Sequence, residues 1–402
     1  MEQIKQKKTF FQKMAEILFI VYLSTIYFFN TQADNVYISH IVFVLFAGCS
    51  GVYFLQRKRM HIGKNVMTAY LAVAWMFASY FWAYSQYYAW INIKTMWMIF
   101  IMFFIVYNLF CEREDAHEFF LKSLYIAGIA LIGYSLYTYD LSEVIDMMSH
   151  GSNVRIGRDI IQTNVFGIQH ATTAIVAFYY FLYKKKHKIF HIIVLAMTFI
   201  FAMSSGSRTA LLMTCLGILY LIYKKYGIRQ VYKIVFVVLI AVLVFMIVIQ
   251  LPIFETIRTR MKGATDAFSG TGGDDSTVVR MKMITDGWSF FKERVLTGYG
   301  ATNYTALSRY RTYAHNNFIE VLVDFGIIGF ILYYLIYWNA FKNLMKEKAD
   351  GAKALFAIFC VRFMMEIATI TYYEKLNWII LAFCLIGRRK DSCIQENRGE
   401  KS

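Results

Sequence analysis

Proline is nearly missing from this chain: 402 residues hold one, Pro252. Charged residues are scarce as well, 17% of the total, where a globular chain carries about 25%. The six cysteines, at positions 49, 111, 215, 360, 384 and 393, include no CxxC pair. Most of them lie within or at the edge of apolar runs, where a buried free thiol is ordinary. Neither a disulfide framework nor a zinc site is expected. A disordered, collagen-like or disulfide-rich secreted chain is excluded by the same shortages. The patterns GxGxxG, GxxxxGK[ST], HExxH and GxSxG are also missing. The one Gly-rich run, Ser269–Gly273, has no following Lys-Ser or Lys-Thr and no strand–helix context, so it reads as a hinge and not a phosphate loop.

What fills the space is apolar. Hydrophobic residues make up 58% and aromatics 18%, with 36 Phe, 30 Tyr and 20 Met. Mean hydropathy is +0.45. So much apolar surface does not hide in one or two soluble cores. A bilayer-spanning helix needs about 20 mostly apolar residues. Twelve segments qualify: 14–30, 36–55, 65–83, 95–111, 119–138, 165–183, 189–204, 208–223, 234–252, 316–338, 354–372 and 376–387, the last of them short. The expected fold is an all-α polytopic membrane protein, one integral-membrane domain over residues 1–402. No cleavable signal peptide is expected, because the first span lacks a small-residue cleavage site.

The net charge of +16 invites a nucleic-acid partner, but the cations follow the membrane. With the N-terminus inside, 27 of the 42 Lys and Arg fall on the inner side, as cytoplasmic loops require. Both termini are then cytoplasmic, and no nucleic acid is needed. The outer side holds the polar anomalies. Nine cations lie in one long outer loop, residues 253–314, including Arg280, Arg294, Arg309 and Arg311. A second outer loop, 139–164, carries Arg155 and Arg158. Clustered arginines match phosphate, whose oxygens fit the planar guanidinium fork. Within the long loop, Asp274, Asp275 or Ser276 caps a helix from about 277 that ends before Gly298-Tyr299-Gly300. Its apolar stripe is read as Met281, Ile284, Trp288 and Phe291, with Arg280 on the flank in line with Arg294.

Three stretches share an order and a membrane face. Ser205-Gly206-Ser207-Arg208-Thr209-Ala210-Leu211-Leu212 opens a span. Arg280 follows in the loop, then Gly298-Tyr299-Gly300. Last comes Tyr313-Ala314-His315-Asn316-Asn317-Phe318-Ile319-Glu320, running into Asp324-Phe325-Gly326-Ile327-Ile328-Gly329. This arrangement resembles the bacterial O-antigen ligase / Wzy-type polymerase superfamily. The resemblance implies a multi-pass protein of the bacterial cytoplasmic membrane, acting at its outer face on undecaprenyl-diphosphate-linked oligosaccharides without a cofactor or metal. It implies flippase and chain-length regulator proteins as partners. Carried over, it makes Arg208, Arg280 and His315 the catalytic set. Thr163-Asn164-Val165-Phe166-Gly167 loosely resembles a further element of the superfamily, at an earlier span entrance. The interval from Gly300 to His315 is short, so a subdomain inserted there in some relatives is missing.

The roles follow from chemistry. Arginines hold the diphosphate leaving group. An imidazole that titrates near neutrality takes the acceptor proton. Arg155, Arg158, Arg311, Asn164 and Asn316 are candidates for binding phosphate or sugar. Glu320 lies near the face of His315 and is a candidate for orienting its ring. Arg362 and Glu366, spaced i,i+4 within a span, read as a structural intramembrane pair. His170 and His191 read as hydrogen-bonded residues of membrane helices. The leading function is polymerisation of lipid-linked repeat units into a capsule or O-antigen chain. A ligase delivering glycan to lipid A core or another acceptor is the alternative. A flippase would want internal repeats and Gly/Pro-broken spans, and neither is evident.

Overall fold

A computed structural model of the protein describes residues 8–29, 36–140, 142, 144, 155–227, 250, 258, 262 and 275–387. The expected span at 234–252 and the hinge at 269–273 lie outside the described residues. Among the described residues the structure is helical, with no strand. No proline interrupts these helices, so no interior backbone donor is lost and no ring clashes with the preceding turn.

Six helices are long and apolar enough to cross a membrane. They are α1 (Phe10–Phe29), α2 (Val36–Arg57), α4 (Gln86–Phe110), α5 (Ala116–Thr138), α6 (Thr163–Tyr183) and α11 (Asn317–Lys346). The others are α3 (Lys64–Ala78), α7 (Lys188–Ser204), α8 (Arg208–Tyr226), α9 (Asp275–Glu293), α10 (Asn303–Leu307), α12 (Asp350–Met365) and α13 (Lys375–Cys384). Helix α1 packs on α2 and α5, α6 on α7 and α8, α3 on α11, and α4 on α13. The bundle therefore has fewer full-length described spans than the twelve apolar segments of the sequence.

The region after residue 354 shows why. Helix α12 stops at Met365, and residues 366–374 are not helical before α13 begins. Every residue of α13 is buried. Trp378 sits edge-on to Phe103 at 5.8 Å, and Phe383 stacks on Phe120 at 4.2 Å. A helix of ten residues suffices here because protein surrounds it. Non-helical backbone at membrane depth is tolerated only inside protein or along a cavity, and residues 366–374 have both. Asn317 Oδ1 accepts from Thr371 N (2.9 Å) and Tyr372 N (3.1 Å), Asn317 N donates to Glu366 O (2.7 Å), and Asn316 Nδ2 donates to Ile367 O (3.2 Å). Two adjacent asparagines thus replace the helical ladder of the broken segment.

The break also re-pairs the intramembrane charges. Arg362 does not bond Glu366; its Nη2 lies 2.9 Å from Glu374 Oε1. Glu366 accepts instead from Tyr334 (2.7 Å), Tyr337, Thr371 and Asn317 (3.2 Å). The i,i+4 reading presumed an unbroken helix; Glu366 caps the end of α12 and turns toward α11. His191 accepts or donates with Tyr125 at 2.8 Å. His170 differs from expectation: both ring nitrogens lack a partner among the described residues, and the ring lies between Phe166 and Phe201.

Loop and span are interlocked at Gly326. Its φ is +64°, inside α11, and a Cβ there would lie 2.3 Å from Leu296 O. Ile327 N donates to Val295 O (2.8 Å), Tyr299 N to Val323 O (2.8 Å) and Gly300 N to Asp324 O (2.7 Å). Gly298-Tyr299-Gly300 and the glycine-containing start of α11 are therefore two halves of one joint. Gly326→Ala is expected to destabilise the fold by about 1–3 kcal/mol from backbone strain alone. A lowered Tm in detergent would show it, and an unchanged Tm would refute it.

Candidate active site

Three arginines from distant parts of the sequence meet in one pocket. Its walls include Arg155, Asn164, Gly206, Ser207, Arg208, Thr209, Arg280 and Thr369, and its volume is about 50 Å³. That is room for a few water-sized groups, since one water needs roughly 10–15 Å³ by this measure.

Each arginine is placed by a different device. Arg208 is the first residue of α8, and Ser207 Oγ caps that helix by accepting from Ala210 N (3.4 Å). Gly206, Ser207 and Thr209 at the helix start line the pocket with it, and a helix N-terminus favours anions. Gly167 of α6 permits this position, because a Cβ there would stand 2.4 Å from Ser205 Oγ. Arg155 is held by Ser205 O (2.6 Å) and by Asn164 Oδ1 (2.7 Å). Arg280 comes from α9, which packs on α11.

The face that α9 buries is rotated from the sequence reading. Met283 and Phe291 are buried and Ile284 packs beside them, while Met281 and Trp288 are exposed. Gly287 decides the rotation: its missing side chain lets α9 approach Ile319 and Tyr304, where a Cβ would lie 2.3 Å from Ile319 Cγ2. Arg294 is elsewhere, stacked over Tyr299 at 4.6 Å.

His315 precedes α11 in the left-handed region, φ +52°. Such a backbone costs a non-glycine residue roughly 1–2 kcal/mol and must be held from both sides. Ala314 N donates to Glu320 Oε2 (2.5 Å), and Asn316 Oδ1 accepts from Ile319 N (3.0 Å) as the cap of α11. Glu320 thus fixes the backbone next to His315 and not the ring; its other oxygen is buried with no partner among the described residues. The ring packs on Tyr313 at 4.2 Å between centroids. Burial first, and then the positive charge of Arg280, lowers the His315 pKa to about 4. Burial raises the Tyr313 pKa, opposed by the same Arg280 charge. Arg280, Tyr313 and His315 are therefore electrostatic neighbours.

The arginine pocket borders a larger cavity of about 680 Å³ through Ile168, Met365 and Thr369, which line both. That volume is in the range of small-molecule sites, about 300–1,000 Å³. Arg158 and Tyr313 line it, as do the non-helical residues Thr371, Tyr373 and Glu374. Arg311 does not join either space. It is exposed and donates to Ala306 O at 2.8 Å.

Residues 192–334 match the O-antigen ligase family model. The match supports the O-antigen ligase / Wzy superfamily resemblance and a glycosyl-transfer function of ligase or polymerase type. It also supports a multi-pass membrane protein working on a lipid-linked glycan. No curated protein matches the chain. The O-antigen ligase match contains Arg208, Arg280 and His315 but stops short of two parts of the site. Arg155, Arg158 and Asn164 lie before it, and the broken segment 366–374 lies after it. Of these later residues, Thr369, Glu374 and Lys375 were missed as site residues by the sequence reading. Their signal was there: Glu374-Lys375 and two threonines, Thr369 and Thr371, interrupt what reads as two apolar runs.

Proposed function

We propose that the protein is a glycan polymerase. It joins undecaprenyl-diphosphate-linked repeat units at the outer face of the cytoplasmic membrane. The observation that carries the reading is the meeting of Arg155, Arg208 and Arg280 at a helix N-terminus, beside His315 and a cavity large enough for sugar. The donor diphosphate occupies the arginine pocket. An acceptor hydroxyl attacks the anomeric carbon, a new C–O bond forms, and the bond from that carbon to the phosphate oxygen breaks. The electron pair leaves with undecaprenyl diphosphate, and the acceptor proton goes to His315. The arginines neutralise charge that grows on the leaving group, which is where fixed donors contribute most. His315 works as a neutral imidazole, and its pKa of about 4 leaves it unprotonated at pH 7.

The family match itself favours a second reading, ligation of finished glycan to lipid A core or another acceptor. The short interval between Gly300 and His315, holding only α10, supports the polymerase. Deletion of the gene separates them. Under the polymerase reading, single repeat units remain attached to the acceptor on a polysaccharide gel. Polymer stranded on lipid carrier, with nothing transferred, would replace this reading by the ligase.

A further inference from the structure

The larger cavity contains a lysine whose position the diphosphate chemistry does not use. Lys375 lines it at the start of α13 and is only 7% exposed. A lysine at the end of a membrane helix ordinarily extends its charge to the interface. Lys375 lies among protein instead: it lines this cavity, and all ten residues of α13 are buried. Among the described residues its ammonium has no hydrogen bond or ion pair. The one carboxylate beside it, Glu374, is engaged by Arg362 at 2.9 Å. Arg158 adds a further cation to the same wall, and His40 faces Lys375 closely enough to sense its charge. A buried charge is retained only where something pairs with it.

We propose that this cavity receives an acidic sugar of the glycan, with one negative charge per bound unit, and that Lys375 is its counter-ion. The inference rests on the polymerase or ligase reading for the glycan, and it adds the substrate class. A sugar fits the remaining walls. Tyr313 and Tyr373 contribute aromatic rings to the lining of the cavity. A second diphosphate fits them less well. Lysine is a point charge and not a planar fork, and Glu374 opposes a multiply charged group while tolerating a single one.

The test uses the full-length protein in nanodiscs and three short-chain polyprenyl diphosphate trisaccharides, alike except for the terminal sugar. One ends in glucose, one in glucuronate and one in a sugar bearing a glycerol phosphodiester. The wild-type protein is expected to bind at least one acidic probe tenfold or more tightly than the glucose probe. Which acidic probe wins tells carboxylate from phosphodiester. In Lys375→Met the ratio falls to about one, while undecaprenyl diphosphate alone binds as before. Lys375→Arg, which keeps the charge, recovers a preference. Equal wild-type affinity for all three probes overturns the proposal. So does Lys375→Met weakening undecaprenyl diphosphate alone by the same factor, because the lysine would then serve a diphosphate. Loss of all diphosphate binding in the wild type would instead sink the arginine-pocket reading. The same trisaccharides as methyl glycosides then test the cavity by themselves, with the same ratio expected.

Discussion

Arg280→Ala is expected to slow glycan transfer by about 10²–10³-fold, the loss typical of one preorganised donor to a developing negative charge. Arg208→Ala is expected to do the same. In cells either variant then leaves no long-chain glycan, although the protein reaches the membrane in normal amount. In the proposed mechanism the two arginines act on one leaving group, so their effects are not expected to be independent. The double variant should lose less than the product of the two single losses. Lysine at either position is expected to restore little, because a point charge does not replace the two parallel bonds of a guanidinium to phosphate. Arg311→Ala is the control: Arg311 is exposed and bonded to Ala306 O, and its loss should leave chain length unchanged. Wild-type chain length in Arg208→Ala or Arg280→Ala would remove that arginine from the mechanism.

Much of this site was legible because its residues combine scarcity with placement. In a chain with 17% charge, outer-side arginines are few enough to single out. Arg208 after Ser-Gly-Ser and Arg280 in the loop helix then stand apart from the inner-loop lysines that set orientation. Asn164 was legible from its neighbours in Thr163–Gly167, and the structure puts it against Arg155. The bundle was legible as helical and membrane-spanning from hydropathy alone.

What escaped has a common physical cause. Apolar runs report burial, not the medium that buries. Most of residues 354–372 and 376–387 are buried among protein, with Met364 and Ile367 exposed, and so a broken helix and a ten-residue helix read as two spans. Once α12 breaks, spacing rules based on an intact helix fail, and Arg362 finds Glu374 in place of Glu366. The rotated face of α9 has the same origin in packing. A helical wheel weighs Met281 and Trp288 by hydrophobicity, but the close approach is granted by Gly287, which a wheel scores as neutral. Glu320 was expected beside the imidazole. It is near in sequence, yet its carboxylate went to the backbone of Ala314, where an unpaired N–H would otherwise be buried.

The pH dependence of His315 ties the two halves of the mechanism together. Burial, and secondarily Arg280, depress its pKa from 6.5 to about 4. Depression means that the neutral, proton-accepting form persists down to about pH 4 and is lost only below it. An imidazole so weakly basic is a poor proton acceptor at neutral pH, since general-base efficiency rises as the pKa approaches the working pH. Substrate corrects this. A bound diphosphate neutralises Arg280 and removes the repulsion on the imidazolium, so the His315 pKa rises, though burial keeps it below 6.5. The acid limb of kcat/KM, which reports the free enzyme, is therefore expected near pH 4. The acid limb of kcat, which reports the complex, should lie at higher pH. Arg280→Gln should move the kcat/KM limb upward in the same direction, because it deletes the charge permanently, while reducing the rate for its own reason. His315→Ala should cost about 10²–10⁴-fold and abolish the limb altogether. Coincident limbs for kcat and kcat/KM, or an acid limb that survives His315→Ala, would show that the proton leaves by another route. Under the proposed mechanism donor binding and base strength are therefore coupled: an anion held by Arg280 removes the smaller of the two causes that depress the His315 pKa.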